Sequence, residues 1–334
     1  MIYANLRSGQ HYNNSIFDKN SLLNRDNVFE PYIKLKESFQ NVGIILNTPD
    51  VNRGKQIKFE IHMDYQYQSN SNLNFLLLYE NPEIYPLNQV RNLEKYKKIF
   101  TWNDNLVDKN KFFKLFIPNA LQKKNNFKSF YERSFFCTMI ASHRTLPFYV
   151  KNNLYKERFG VVNWFNENHP QSFHLYGGDW DSSAIPHYLN KKPLRFLFEK
   201  YYEYTGSHKF KSYNGRIETK INVLSNSKFS FCYENLSGLN GYITEKIFDC
   251  FYCGCVPIYW GAENIKQLIP KNCFIDRRDF DSNDSLFDYL VAINDEKFKN
   301  LQNNIKLFLN SPFINKFSSE FFSNYLVKKI TSSI

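Results

Sequence analysis

Short apolar runs of strand length alternate with helical patterns along the chain, which predicts an α/β fold. In the first part we predict a helix over 31–39 and strands at 2–4, 42–46, 57–63 and 75–79. The runs at 99–102 and 112–117 are expected to complete a second small sheet. In the later part we predict a helix over 154–166 and strands at 134–141, 173–176, 229–233 and 256–260. A polar, lysine-rich stretch at 119–128 marks the expected boundary between two α/β halves.

The segment from Phe229 to Gly261 predicts a strand–helix–strand unit. A polar loop with two glycines follows the first strand, Thr244 lies at the expected helix N-cap, and Gly254 ends the helical pattern. Such a short span makes a parallel unit with a right-handed crossover, and ligands bind beyond the carboxyl ends of parallel strands. The residues expected at that edge are Glu234, Asn235, Tyr242, Glu245 and Lys246.

These residue types suit a nucleotide-sugar better than a dinucleotide. A carboxylate such as Glu245 can accept hydrogen bonds from both ribose hydroxyls, and Lys246 supplies a mobile positive charge for a diphosphate. The sequence contains no GxGxxG motif, so side chains would have to meet the phosphate charge. The alternative is that Glu245 and Lys246 form an ordinary solvated first turn, since acids favour helix starts.

Residues 242–246 (YITEK), with 231–235 (FCYEN) before them and 256–261 (VPIYWG) after them, resemble the donor motif of the α1,3/4-fucosyltransferases. This is glycosyltransferase family ten, which uses GDP-fucose. The match continues through 269–275 and Asp279-Phe280, and it is densest over about 130–290.

The resemblance implies two facing Rossmann-like domains of the GT-B type with a cleft between them. The N-terminal domain, expected at 1–127, would hold the acceptor sugar, and the domain at 128–312 would hold GDP-fucose. A helical segment at 313–334 would return to the N-terminal domain.

The family inverts the anomeric centre in a single displacement, so one carboxylate base suffices. Glu80 is the expected base, because it ends the apolar strand 75–79 before Asn81 and Pro82, where the family has a glutamate followed by asparagine or proline. Glu83 and Asp104 are the alternatives.

The resemblance also carries over two cations of the donor domain. Arg158 matches the family arginine that contacts the diphosphate, with Arg144 as the alternative and a surface ion pair as the competing interpretation. Lys220 matches a lysine ahead of the nucleotide strand, although the family's acid two residues later is Asn222 here. Tyr242 would stack on the donor or form a hydrogen bond with it. The alternative is that its ring only packs within the protein.

The expected activity is inverting transfer of L-fucose from GDP-fucose to a hydroxyl of an N-acetylglucosamine-containing oligosaccharide or glycolipid, with α1,3 as the expected linkage. Another nucleotide sugar or linkage, or an inactive glycan-binding relative, remains open. Asp179-Trp180-Asp181 spells the metal-binding acid pair of other glycosyltransferases, but turnover in this family does not depend on such a site. We therefore expect no obligatory metal or other cofactor.

The charge and the composition of the chain limit the classes of partner that it is expected to bind. The net charge of +11 comes from dispersed residues and short pairs such as Lys97-Lys98, Lys123-Lys124, Lys191-Lys192 and Lys328-Lys329, without a nucleic-acid motif, so no nucleic-acid partner is expected. Four of the six cysteines belong to apolar runs, where a free cysteine behaves as a small hydrophobe. Cys250, Cys253 and Cys255 lack the second pair that a zinc site usually needs, so no metal site is expected there. With no apolar run of about 18 residues and no signal pattern, we expect a cytoplasmic enzyme. The tail at 297–334 could lie on a membrane surface as a peripheral contact or pack on the core.

Overall fold

The computed structural model describes residues 1–121, 126–181 and 210–334, which form two α/β units. The first unit comprises 1–122 and 311–334, and the second comprises 123–310. The basic pairs Lys123-Lys124 and Lys191-Lys192 lie outside the described residues.

The first unit is built on a single parallel sheet. Its strands are β1 (Ile2–Arg7), β2 (Ile44–Asn47), β3 (Ile57–Met63), β4 (Asn74–Leu78), β5 (Lys98–Thr101) and β6 (Phe112–Lys114), in the order β2-β1-β3-β4-β5-β6. The expected second small sheet is wrong, because Leu76 pairs with Ile99 and Ile99 pairs with Phe112, which extends the first sheet. The central strand β4 is buried at every position, as is usual when both faces of a parallel sheet are covered.

Helix α1 (Glu30–Gln40) covers one face of this sheet. It has Pro31 in its first turn, a position at which proline is tolerated because the N–H that it lacks would have no helical partner. Leu35 and Phe39 are buried at helical spacing, and the ring of Phe39 lies 5.6 Å from that of Phe59 on β3.

The second unit also carries one parallel sheet. Its strands are β7 (Phe135–Ile140), β8 (Phe173–Tyr176), β9 (Ser227–Tyr233), β10 (Val256–Trp260) and β11 (Ile275–Asp276), in the order β11-β10-β9-β7-β8. The helices are α2 (Leu154–Asn168), α3 (Lys220–Leu224), α4 (Glu245–Tyr252), α5 (Ile265–Leu268), α6 (Asn283–Val291) and α7 (Asp295–Leu309). The predicted parallel unit is confirmed, since Tyr233 at the end of β9 lies opposite Trp260 at the end of β10.

Helix α4 ends where the chain reverses at Gly254. This residue has a φ of +61°, and a Cβ there would lie 2.2 Å from the ring of Phe127. Both observations require glycine. Cys250 of this helix and Cys232 of β9 lie with their sulfurs 3.2 Å apart, and all six cysteines are buried and free, as expected for small apolar side chains.

The C-terminal tail packs on the core of the first unit. Helix α8 (Ser319–Thr331) lies against α1, and Phe322, Leu326 and Ile330 are buried there. Phe321 stays exposed. Across the parts of the chain that the structure describes, helices are too short or too polar to cross a bilayer.

The two sheets share one strand order. Counted within its own unit, each sheet begins 2-1-3-4-5, the doubly wound order in which crossover direction reverses between the first and third strands. In such sheets ligands bind beyond the carboxyl ends of the strands at that reversal point. The reversal lies between β1 and β3 in the first unit and between β7 and β9 in the second.

Candidate active site

Glu234 directly follows β9 and is the centre of the polar cluster in the second unit. Its carboxylate is fully buried and accepts three hydrogen bonds, from the Thr244 N–H at 2.8 Å, the Thr244 hydroxyl at 2.7 Å and the Lys246 ammonium at 3.1 Å. Thr244 occupies the predicted N-cap position of α4, but its hydroxyl bonds Glu234 and does not cap the helix. The buried acid therefore orients the start of α4 and the side chain of Lys246.

The close approach of two strand ends makes this arrangement possible. Gly261 follows β10, and a Cβ there would lie 2.4 Å from Cγ of Glu234 and 2.5 Å from the hydroxyl of Tyr259. The backbone N–H of Glu234 also donates to the Trp260 carbonyl at 2.8 Å. The glycine is needed at this position because any side chain would displace the buried carboxylate.

Glu245 and Lys246 begin α4 with their charges at the site. Glu245 keeps 47% of its side chain exposed, whereas Lys246 is mostly buried. Burial raises the pKa of Glu245, but the positive charges of Lys246 and Lys220 outweigh it and bring the pKa to about 2. Burial lowers the pKa of Lys246, and the negative charges of Glu234 and Glu245 overcome this and raise it. Both groups are thus ionised at neutral pH.

Lys220, the first residue of α3, joins the same cluster. Its ammonium lies 2.7 Å from the carboxylate of Asp249 and 3.9 Å from that of Glu245. Burial raises the pKa of Asp249 to about 7, with Lys220 opposing the shift and Glu245 adding to it. Asp249 therefore holds Lys220 at the edge of the site while adding less negative charge than an ordinary carboxylate.

Arg158 of α2 is buried behind the end of β9. Its Nη2 donates to the Tyr233 carbonyl at 2.6 Å and to Oδ1 of Asn235 at 3.0 Å, and its guanidinium lies 4.7 Å from the ring of Tyr155. Burial lowers the pKa of Arg158, which nevertheless interacts with the negative charges of Glu234 and Glu245. The structure therefore brings Arg158 into the same cluster as Lys246.

Asn235 and Tyr242 complete the loop at this edge. The Asn235 amide donates to the Tyr242 hydroxyl at 3.4 Å, and the buried Tyr242 offers its backbone carbonyl to the hydroxyl of Tyr259 at 3.3 Å. The predicted donor-side residues thus come together at the carboxyl end of β9, beside the reversal point. Their three cations and one half-exposed carboxylate can bind a diphosphate and accept hydrogen bonds from sugar hydroxyls.

Glu80 lies in the first unit, just beyond the carboxyl end of β4. Asp64, which follows β3 with a φ of +56°, accepts from the backbone N–H groups of both Tyr79 and Glu80 at 2.9 Å. The Asn88 amide donates to Asp64 and to the Glu80 carbonyl, both at 2.8 Å. The backbone of Glu80 is thus fixed at the strand end where sequence predicts the base.

The residues considered as alternatives for the base and for the phosphate-binding arginine lie in different surroundings, and so does the predicted acid pair. Glu83 is exposed on the turn after Glu80, and Asp104 pairs with Lys114 at 2.6 Å. Arg144 is exposed in the loop after β7. Asp179 pairs with Arg216 at 3.0 Å, and described residues bring no three potential ligands together for a metal ion.

Comparison with known proteins agrees with the motif. Residues 200–302 match the model for glycosyltransferase family 10 (fucosyltransferase), C-terminal part. The resemblance to glycosyltransferase family 10 is confirmed over these residues. The chain is 25% identical over 178 residues to the Helicobacter pylori alpha-(1,3)-fucosyltransferase FucT, which covers 50% of this chain and 37% of that protein. It is 36% identical over 74 residues to an Arabidopsis thaliana alpha-(1,4)-fucosyltransferase, covering 22% of this chain and 18% of that one.

The fold of the chain is similar to the folds of solved glycosyltransferases. A crystal structure of an alpha1,3-fucosyltransferase has a TM-score of 0.55 at 14% identity and covers 98% of this chain and 89% of its own. The structure of Anabaena HepE in complex with UDP and glucose has a TM-score of 0.53 at 9% identity, and the match covers 99% of this chain and 100% of HepE. The α/β fold class of two parallel-sheet domains is confirmed. The chain spans well under half the length of the first curated relatives that it matches.

Sequence reasoning missed the roles of three residues that shape the candidate site: Asp64, Asp249 and Gly261. Asp249 stands four residues after Glu245, so helical spacing alone would have placed both acids on one face. No local signal marks Asp64 or Gly261, because their roles depend on contacts with residues that are distant along the chain.

Proposed function

We propose that this chain is an inverting fucosyltransferase, which transfers L-fucose from GDP-fucose to a hydroxyl of an N-acetylglucosamine-containing glycan in α1,3 linkage. The observation that carries the proposal is the cluster of Lys246, Lys220 and Arg158 around the half-exposed Glu245, at the carboxyl end of β9. The names of curated relatives, which include alpha-(1,3)- and alpha-(1,4)-fucosyltransferases, support the donor sugar.

On the donor side, each side chain has a distinct role in the proposal. Lys246, Lys220 and Arg158 bind the diphosphate and stabilise the negative charge that develops as GDP leaves. Glu245 accepts hydrogen bonds from hydroxyls of the donor. Glu234 acts as a positioning residue, because its oxygens are occupied by Thr244 and Lys246. Asn235 and Tyr242 hold the loop that carries these groups.

On the acceptor side, Glu80 removes the proton from the attacking hydroxyl. The acceptor oxygen forms a bond to the anomeric carbon of fucose while the bond from that carbon to the phosphate oxygen breaks, and GDP leaves with the electron pair. The proton remains on Glu80, from which it passes to solvent. This single displacement inverts the anomeric configuration, and it needs a fixed carboxylate, which Asp64 and Asn88 support by holding the Glu80 backbone.

The test is product formation from GDP-fucose and N-acetyllactosamine, followed by mass spectrometry and linkage NMR. We expect a product heavier by one fucose, linked to O3 of N-acetylglucosamine. Glu80→Gln should reduce kcat at least a thousandfold while GDP-fucose affinity stays within about twofold. Glu83→Gln, three residues away and exposed, is the matched control and should keep normal turnover. A Glu80→Gln variant with wild-type kcat would remove Glu80 as the base.

A second candidate is a transferase of the same fold that uses another nucleotide sugar. The likeness to HepE, which was solved with UDP and glucose, is the observation behind it. Calorimetric titration with GDP-fucose and with UDP-glucose separates the two. Binding of UDP-glucose in preference to GDP-fucose would replace the proposed donor.

A further inference from the structure

The first unit contains a cavity that the donor site and Glu80 do not explain. It has a volume of about 320 Å³ and lies where β1, β2 and β3 end. The side chains that matter below are those of Arg7, His11, Tyr12, Asp50, Gln66 and Tyr67. This is the reversal point between β1 and β3, the place in a doubly wound sheet where ligands bind.

The lining offers aromatic surface together with hydrogen-bonding groups. Tyr67 is 75% exposed and Tyr12 is 63% exposed, so their rings are accessible. The Gln66 amide donates to the Met63 carbonyl at 3.1 Å, which fixes its direction and leaves its oxygen as an acceptor. Aromatic rings beside a few fixed polar groups suit a sugar, which has both apolar C–H faces and hydroxyls.

The charges of the cavity favour an uncharged ligand. Arg7 is neutralised by the fully buried Glu60, to which its guanidinium donates twice, at 3.1 and 3.2 Å. Burial lowers the pKa of His11, so that ring is neutral at pH 7. Burial raises the pKa of Asp50, but hydrogen bonds from Thr48 and from the backbone outweigh it, and the carboxylate stays ionised. Lys95, which donates to the Gln66 carbonyl beside the cavity, balances the charge of Asp50, so no excess positive charge is left to attract phosphate or an acidic sugar.

One residue connects this cavity to the expected base. Asp64 holds the Glu80 backbone and lies two residues before the segment 66–68, which lines the cavity. Strand β4, which leads to Glu80, lies two strands from β1 in the same sheet, or about 10 Å at ordinary strand spacing. A glycan that presents a hydroxyl to Glu80 can therefore extend along the sheet edge to the cavity.

We propose that this cavity binds a neutral saccharide unit of the acceptor glycan, beyond the unit that receives the sugar, with Tyr67 as its stacking platform and Asp50 as a hydrogen-bond acceptor. The proposal rests on the proposed glycosyl transfer and assigns part of its acceptor specificity to the cavity. Tyr67 and Asp50 determine specificity here and take no part in the chemical step.

The test compares acceptors of two lengths at saturating GDP-fucose. The methyl β-glycoside of N-acetylglucosamine contains only the receiving unit, whereas lacto-N-neotetraose contains the same unit within a longer neutral glycan. For Tyr67→Ala we expect KM for the tetrasaccharide to rise roughly five- to tenfold, the loss of one stacking contact, with kcat unchanged. KM for the monosaccharide should not change. Asp50→Asn should act in the same direction, and Tyr131→Ala, which removes a tyrosine that is 81% exposed in the second unit, is the matched control.

A donor-free measurement separates this inference from the proposed reaction. Saturation-transfer NMR with lacto-N-neotetraose should detect binding to the wild type and a loss of signal in Tyr67→Ala. If the wild type transfers no fucose but shows this pattern, the cavity assignment stands and the reaction is wrong. If transfer proceeds and Tyr67→Ala has the wild-type KM for the tetrasaccharide, the cavity assignment is overturned.

Discussion

The two acids Glu234 and Glu245 should respond differently to the same substitution. Glutamine in place of either acid preserves the volume of the side chain and removes its charge. Glu234 is buried and pairs with Lys246, whereas Glu245 is half-exposed and faces solvent. We expect Glu234→Gln to lower stability and donor affinity together, and Glu245→Gln to lower donor affinity alone.

The magnitudes follow from the contacts. A glutamine at 234 can keep one carbonyl oxygen for the Thr244 N–H, but its amide nitrogen cannot accept from Lys246. A hydrogen bond to a charged group contributes about 1.5–3 kcal/mol, and Lys246 retains some contact with water, so we expect a loss of about 2 kcal/mol in unfolding free energy. That loss corresponds to a fall of roughly 4–8 °C in Tm for a unit of this size. Glu245→Gln should change stability by less than about 0.5 kcal/mol, because its ion pairs are exposed.

Thermal unfolding and calorimetric titration with GDP-fucose give the two readouts. We expect Kd to rise about tenfold for Glu234→Gln through misplacement of Lys246, and roughly ten- to a hundredfold for Glu245→Gln through loss of a charge-assisted hydrogen bond. The reasoning fails if Glu234→Gln keeps the wild-type Tm. It also fails if Glu245→Gln binds GDP-fucose with unchanged affinity.

Three further outcomes are expected. Gly261→Ala should destabilise by about 1–3 kcal/mol because its Cβ would lie 2.4 Å from the Glu234 side chain, whereas Gly160→Ala, inside a helix with open space, should be neutral or stabilising in thermal unfolding. Burial raises the pKa of Glu60, but its hydrogen bonds, led by that from His62, outweigh burial and lower the pKa from 4.5 to about 2. This stabilisation is present above pH 4.5 and is lost as pH falls through 2, so urea unfolding of Glu60→Gln should show a flatter acid limb than the wild type, and identical limbs would contradict the assignment. Addition of EDTA should leave initial transfer rates unchanged, and inactivation that Mg²⁺ reverses would show that the reaction needs a metal.

Much of the fold could be predicted because most strands are short, largely apolar runs bounded by turn residues. The predictions at 57–63, 173–176 and 256–260 agree with β3, β8 and β10 at both ends. Strand pairing could not be predicted in the same way, and the error over β5 and β6 shows why. An apolar run of four residues reports burial, but its neighbour in the sheet depends on contacts with residues far along the chain.

The sequence by itself determined the order of the elements and the group of polar residues that follow β9, since local periodicity and spacing suffice for both. The donor motif was identified by its resemblance to a known family. The tertiary structure decided which of those residues are buried and which stay exposed to a ligand. Glu234 and Glu245 are both acids in one motif, yet the close approach of Gly261 buries the first against Lys246 and leaves the second half-exposed. In the first unit, Asp64 at the end of β3 holds the Glu80 backbone at the end of the adjacent strand β4. Burial and contacts with residues on other strands determine the charge state and the exposure of each side chain. These contacts cannot be read from the residues that are adjacent in sequence.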